Sequence, residues 1–231
     1  HPPFGHAGED ALKELMEPFG GFDHNAQSLR VVTKLETRYT SWNGLNLTWE
    51  TLEGVVKHNG PLLGYGEEVL PRAIAEYAEM QDLELDTYSG LEAQIAAMAD
   101  DIAYNNHDID DGLRAGLFFI EDLSDLPLVG GIFADVSKEF PELDMSRTIH
   151  EAVRRLIGAM VDDLIRETER RIKDSGVVSV DDVRQLGQPI AEFSNEMRKY
   201  DTEIKKFLYE NMYRHYKLNR MTSKGRRVIK D

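Results

Sequence analysis

Across 231 residues the sequence carries 27 Lys and Arg against 42 Asp and Glu, a net charge of −15, and it has no cysteine. The length suits one large domain or two small ones, with a core that needs no covalent staples. The missing cysteine excludes disulfides, thiolate metal ligands and a cysteine nucleophile and fits a reducing, cytoplasmic setting, while no apolar run approaches the roughly 18 residues of a membrane span.

The elements read in chain order are helical almost throughout. The opening HPPFGHAGED packs prolines, glycines and histidines into a rigid turn. A short helix is expected over Ala11–Met16, closed by Pro18 and Gly20-Gly21. Leu29, Val32, Leu35 and Tyr39 recur at spacings of three and four and predict a helix over 24–42. Another is expected over 48–58, ended by Asn59-Gly60-Pro61, and Pro71 suits the first turn of a helix running to about Met80.

Ser89 and Glu92 form an S-x-x-E capping box that predicts a helix from Gly90 to Gly112, with Leu91, Ile95, Met98, Ile102 and Ile109 as its apolar stripe. Residues 121–145, richer in Pro and Gly, read as a loop with a short helix. Thr148 and Glu151 repeat the box ahead of a long helix that stripes Ile149, Val153, Leu156, Met160 and Leu164 and ends near Gly176. Ser179 and Pro189 predict further helix starts. With no strand alternation and no repeat, the class is all-α.

Charge divides the chain. Residues 198–231 hold 11 Lys and Arg against 4 Asp and Glu, while the preceding residues hold 16 against 38. The expected organisation is a main domain over 1–197 and a basic helical segment over 198–231 packed on it. The acidic body argues against broad nucleic-acid binding. The basic tail could meet a phosphate ligand, an acidic neighbour or single-stranded nucleic acid, or it could simply pack on the acidic body.

Three stretches can carry chemistry. His6 and Glu9, three apart at a helix start, can share a face, where a carboxylate fixes the tautomer of an imidazole and raises its basicity. The same spacing also suits a glutamate that merely favours the helix dipole. In FDHNAQSLR, His24 and Asn25 stand at a helix start that favours anions, with Arg30 two turns on; Asp23 or Asn25 as a plain N-cap is the alternative. In MADDIAYNNHDIDD, Asp100, Tyr104 and Asp108 fall at i, i+4 and i+8 on one face, opposite the apolar stripe. Carboxylates there suit a hard divalent cation, or are a solvated acidic face. Lys57 is a further candidate phosphate contact, or a favourable charge at a helix C-terminus.

Read in order, HPPFGHAGEDAL, FDHNAQSLRVV, LNLTWETLEGVVKHNGP, ADDIAYNNHDIDDG and YRHYKLNRMTSKGRRVI resemble successive blocks of the deoxyguanosine triphosphate triphosphohydrolase-like branch of the HD-domain phosphohydrolases. The resemblance runs from His1 to nearly the last residue. It implies an all-helical HD fold. It also implies metal-assisted cleavage of a deoxynucleoside triphosphate to deoxynucleoside and inorganic triphosphate. By it, Asp100 resembles a metal ligand, and His6 with Glu9 the catalytic His–acid pair. His1 and His24 resemble histidines facing the triphosphate, Tyr104 and Asp108 residues bordering the deoxyribose, and Lys57 and Arg30 basic phosphate contacts. Mg, Mn, Fe, Co or Ni would suit such ligands. A deoxynucleotide activator and a homo-oligomer are further implications. In that family a His-Asp dyad precedes the opening block, so this sequence is expected to cover part of a longer chain. The alternative is an HD-like protein that senses nucleotides or binds nucleic acid with little or no catalysis.

Overall fold

The computed structural model describes residues 3–64 and 70–231. The described residues are all-α, with no strand among them. Ten α-helices follow in order: α1 (Gly5–Met16), α2 (His24–Arg30), α3 (Trp49–Lys57), α4 (Arg72–Ala78), α5 (Leu91–Arg114), α6 (Val129–Glu139), α7 (Met145–Ser175), α8 (Val180–Gln185), α9 (Asn195–Leu208) and α10 (Tyr216–Lys230). The chain divides into two compact units. One comprises residues 1–97, 177–190 and 220–231, the other 98–176 and 191–219.

In the first unit Ala26, Leu29, Leu52, Val56, Ile74, Leu83 and Leu85 form a buried cluster from α2, α3, α4 and the segment after α4. The helix predicted over 24–42 is shorter. α2 loosens into a π-helical turn over Val31–Leu35, and Glu36 is extended. The chain then folds back on itself, with Gly44 N–H donating to the Glu36 carbonyl and Leu45 N–H to that of Val32, both at 2.8 Å. Gly44 has φ +73, and a Cβ on it would stand 2.4 Å from the Val32 carbonyl, so only glycine fits this return. Leu35 and Tyr39, placed on the apolar stripe by periodicity, are exposed.

Helix α1 begins six residues ahead of the expected Ala11 and so takes in both His6 and Glu9. It is entered through two left-handed residues, Phe4 (φ 63) and Gly5 (φ 57). For a residue with a Cβ, such as Phe4, that conformation costs about 1–2 kcal/mol. The turn lays the Pro3 carbonyl against Gly8, where a Cβ would come within 1.8 Å. Gly8 is thus set by close backbone approach and Gly5 by its left-handed φ.

In the second unit Ile109, Leu123, Val129, Val136, Leu156, Met160 and Ile204 are core residues drawn from α5, α6, α7, α9 and the 3₁₀ turn at Ile120–Leu123. α7 buries all five residues of its predicted stripe. Two buried asparagines of α5 tie it to its neighbours: Asn105 Nδ2 donates to Asp201 Oδ1 of α9 at 2.7 Å, and Asn106 Nδ2 to the Met160 sulfur at 3.3 Å.

Several helix starts differ from the sequence reading. Asp144, one turn before Thr148, caps α7 by accepting the Arg147 N–H. Thr148 donates its hydroxyl to the Asp144 carbonyl, and Glu151 binds Arg154 and Arg155 instead. Ser89 Oγ is buried without a partner among the described residues. The start of α5 is instead met by Glu53, which accepts the Gly90 N–H, and by Gln94, which donates to the Ser89 carbonyl. Ser179 does cap α8, in a reciprocal box with Asp182. Pro189 opens no helix; α9 starts at Asn195 with Ser194 as its cap. None of the described helices is long and apolar enough to cross a membrane.

Leu156 is 1% exposed at the centre of the second unit. Leu156→Ala should cost about 2–5 kcal/mol, read as a lowered urea midpoint with little change in slope.

Candidate active site

In the first unit the buried Glu9 is the organising group. It accepts a hydrogen bond from His24 Nδ1 of α2 at 2.9 Å, and Lys13, one turn along α1, lies 3.0 Å from the same oxygen. Burial works against ionising Glu9. The hydrogen bonds and charges of His24 and Lys13 outweigh it and hold the carboxyl below its ordinary 4.5. An ionised carboxylate can only accept, so His24 Nδ1 carries the proton of this hydrogen bond. Periodicity paired Glu9 with His6, which lies on an exposed position one turn earlier on α1. The His24 partnership, across 15 residues, has no periodic signal.

Asp23 does what its sequence position suggests, capping α2 by accepting the Ala26 N–H at 2.7 Å. Arg30, at the other end of α2, lines a cavity of ≈ 600 Å³ together with Phe19, Lys34 and Arg72. Lys34 and Arg72 share Glu76, at 3.7 and 2.7 Å. His1 lies outside the described residues.

Lys57 has internal partners. Its side chain is fully buried, and Nζ is committed to Glu53 at 3.1 Å and to the Glu84 carbonyl and Thr87 hydroxyl at 2.7 Å each. Burial pushes its pKa down, with Glu53 opposing the shift. Glu53 also binds Arg184 of α8 in a fork, Nε at 2.9 Å and Nη2 at 3.1 Å, and the guanidinium lies 4.6 Å over the Trp49 ring. Here burial raises the Glu53 pKa, but the two cations lower it further and leave it depressed. An ammonium held this way is an internal tie.

In the second unit Asp100, Tyr104 and Asp108 follow one another along α5, Asp100 and Tyr104 exposed and Asp108 half-buried. Burial pushes the Tyr104 phenol up, and the charges of Asp108 and Asp100 add to it. Burial also raises the Asp108 carboxyl, opposed by a hydrogen bond from Tyr213. The Tyr213 hydroxyl donates to Asp108 Oδ2, and its own pKa is driven far up by burial and that carboxylate. Sequence reasoning did not single out Tyr213. The available signal was its place at the head of the YRHYKLNRMTSKGRRVI block. Among the described residues no three His, Cys, Asp or Glu side chains gather to hold a metal ion. Asp100 offers one hard oxygen donor, and one donor does not make a metal site.

Residues 191–231 match the phosphohydrolase-associated domain family. The chain is 61% identical over 233 residues to a deoxyguanosinetriphosphate triphosphohydrolase-like protein of Parvibaculum lavamentivorans, covering 100% of this chain and 59% of that protein. Proteins of the same name from Azorhizobium caulinodans and Caulobacter vibrioides are 54% and 55% identical, with 100% and 99% of this chain covered and 60% and 58% of theirs. The chain belongs to the deoxyguanosinetriphosphate triphosphohydrolase-like family. It spans about three-fifths of the length of these relatives.

Two stability measurements check the two buried carboxylates. Arg184→Leu strips Glu53 of its forked partner and should cost about 3–5 kcal/mol by urea denaturation, whereas Arg38→Ala, which loses only an exposed pair with Glu36, should stay below about 1 kcal/mol. Glu9 is depressed in the folded state, so its contribution is present above the ordinary carboxylate range and is lost as pH falls through the folded value. Glu9→Gln should therefore flatten the acid side of the stability curve, below about pH 4.5.

Proposed function

We propose that the protein carrying this chain hydrolyses deoxynucleoside triphosphates to deoxynucleoside and inorganic triphosphate. The observation that carries the reading is the buried Glu9 carboxylate holding His24 by Nδ1. In this reaction water adds at the α-phosphorus, the bond to the sugar 5′ oxygen breaks, and that oxygen takes up a proton. An imidazole whose tautomer is fixed by a carboxylate is suited to move that proton, a contribution of about 10²–10⁴-fold. In this reading His24 is the group Glu9 orients, and His6, on the same helix, faces the reacting phosphate. His1 belongs with it by family resemblance.

Asp100, Tyr104 and Asp108 would then face the metal and the sugar. A phenol packed on the deoxyribose leaves no room for a 2′-hydroxyl. The Asp108–Tyr213 hydrogen bond supports this by holding the carboxylate in one orientation. Asp100 would supply one ligand to a divalent ion such as Mg, Mn, Fe, Co or Ni, the remaining ligands coming from outside the described residues. When bound, that ion supplies charge neutralisation beside the scissile bond. Arg30 is the basic contact retained for the phosphates, since it lines a basic cavity while Lys57 is internal. A homo-oligomer and activation by a second deoxynucleotide belong to the same reading.

Part of the basic C-terminal stretch is engaged within the fold, four of its eleven Lys and Arg holding carboxylates. Arg198 binds Glu192, Lys205 binds Asp101 and Asp201, Arg226 binds Asp10 and Lys230 binds Glu14. Cations already paired with carboxylates add little to phosphate-backbone binding.

The test is the whole protein incubated with each deoxynucleoside triphosphate, singly and mixed, with Mg²⁺ or Mn²⁺, and assayed for inorganic triphosphate. Release is expected. His24→Ala and Glu9→Gln should lower kcat by about 10²–10⁴-fold with far smaller changes in KM. Tyr104→Ala should admit ribonucleotides. No triphosphate from any single nucleotide or mixture sinks the reading.

A further inference from the structure

We propose that the C-terminal half of α10 is a brace that positions the opening turn of α1 and, through it, the Glu9–His24 pair. This rests on the hydrolase reading of that pair. Phe4 and Gly5 enter α1 in left-handed conformation, and Phe4 does so with a Cβ and without a side-chain cap. A strained residue persists where its surroundings over-determine it. The surroundings here are specific. Gly225 is the buried residue of α10, and a Cβ on it would lie 3.1 Å from Phe4 Cβ and 3.2 Å from Phe4 Cγ. The α10 backbone therefore seats directly on the Phe4 side chain. From the α1 side, the Pro3 carbonyl fills the space that a Cβ on Gly8 would need. The turn is held from both directions.

Two ion pairs fix the register of this contact. Arg226, next to Gly225, binds Asp10, next to Glu9; one turn on, Lys230 binds Glu14. Both pairs are about half-exposed, so they align the helices more than they stabilise them. Gly225, Arg226 and Lys230 touch no reacting atom in this scheme; they are positioning residues. Any slide of α1 would lengthen the 2.9 Å hydrogen bond that sets the His24 tautomer. The brace also gives a physical task to part of the phosphohydrolase-associated segment, residues 191–231, which holds all of these α10 groups.

The experiment uses the whole protein and the variants Gly225→Ala, Gly225→Val, Asp10→Arg, Arg226→Glu and the double reversal. Each is read by kcat and KM for a deoxynucleoside triphosphate, by melting temperature, and by the ¹⁵N signal of His24 Nδ1. Gly225→Val should lower kcat by about 10–100-fold, the scale of an ångström-sized misplacement, with KM changed far less, the melting temperature largely kept and the His24 signal moved. Gly225→Ala should fall between it and the native protein. Each single charge reversal should lower kcat, and the double reversal should recover most of the loss. A folded Gly225→Val protein with native kcat and an unmoved His24 signal overturns the brace. So do losses that track unfolding across all variants with no recovery in the double reversal. If the native protein releases no triphosphate, the hydrolase reading fails on its own, and the His24 signal in Gly225→Val alone decides the brace.

Discussion

A carboxylate taken out of water needs cations that stay with it, and the first unit is arranged around meeting that need twice. Glu9 and Glu53 follow one plan. Each is buried on a helix, each has a lysine four residues on, and each takes a second partner from another helix. The plans diverge in that second partner. Glu53 receives Arg184, whose guanidinium never titrates near neutrality, and the result is a permanent tie across 131 residues of sequence. Glu9 receives His24, an imidazole whose ring this hydrogen bond holds in one orientation, and the result is a candidate catalytic pair. The same electrostatic device thus serves as a lock in one place and as candidate chemistry in the other.

The lock also explains how the chain can leave the first unit at residue 97 and return to it at 177. Arg184 stands on α8, a helix of six residues that on its own would be marginal. Its fork onto Glu53, its Asp181 neighbour at 2.9 Å and the Trp49 face beneath it give the returning segment a single seat. Trp49 is itself fixed, its Nε1–H donating to the Asp82 carbonyl at 2.7 Å. Glu53 accepts the Gly90 N–H as well, so the start of α5 is tied to the same carboxylate. Removing any one partner leaves a buried charge unmatched, which is why this network tolerates so little.

What could be read in the sequence was local. The α7 stripe, the Ser179 cap and the all-α class follow from periodicity and capping chemistry, and each is present. The failures share one cause, competition from a partner distant in sequence or one turn away. Ser89 and Glu92 have the spacing of a capping box, but Glu53 takes the Gly90 N–H, Gln94 takes the Ser89 carbonyl, and Ser89 Oγ is left buried without a partner among the described residues. Thr148 has it too, but Asp144 stands one turn earlier and takes the cap by accepting the Arg147 N–H. Tyr39 continues a helical period that ends because Gly44 can let the chain approach the Val32 carbonyl. The site shows the same division. The Asp100, Tyr104 and Asp108 register lies on one helix and was visible; His24 on Glu9 and Tyr213 on Asp108 join different helices and were not.

The charge pattern takes on a different meaning once the partners are known. A strongly acidic chain proposed to accept a triphosphate must keep some cations out of its own ion pairs. Lys57 looks on sequence like a cation kept for that purpose, yet it is the most deeply internal of them, and its ammonium is matched by one carboxylate, one carbonyl and one hydroxyl. The C-terminal excess of Lys and Arg is also partly absorbed, by Asp10, Glu14, Asp101, Asp201 and Glu192. Arg30 differs: it stands at the rim of a basic cavity where Lys34 and Arg72 share one glutamate between them. A count of charges along the chain would rank the tail first and Arg30 last as a phosphate contact. The ion pairs lower the paired tail residues and Lys57 in that order, because a cation's attraction for an added anion depends on how much of its field a fixed carboxylate has already cancelled.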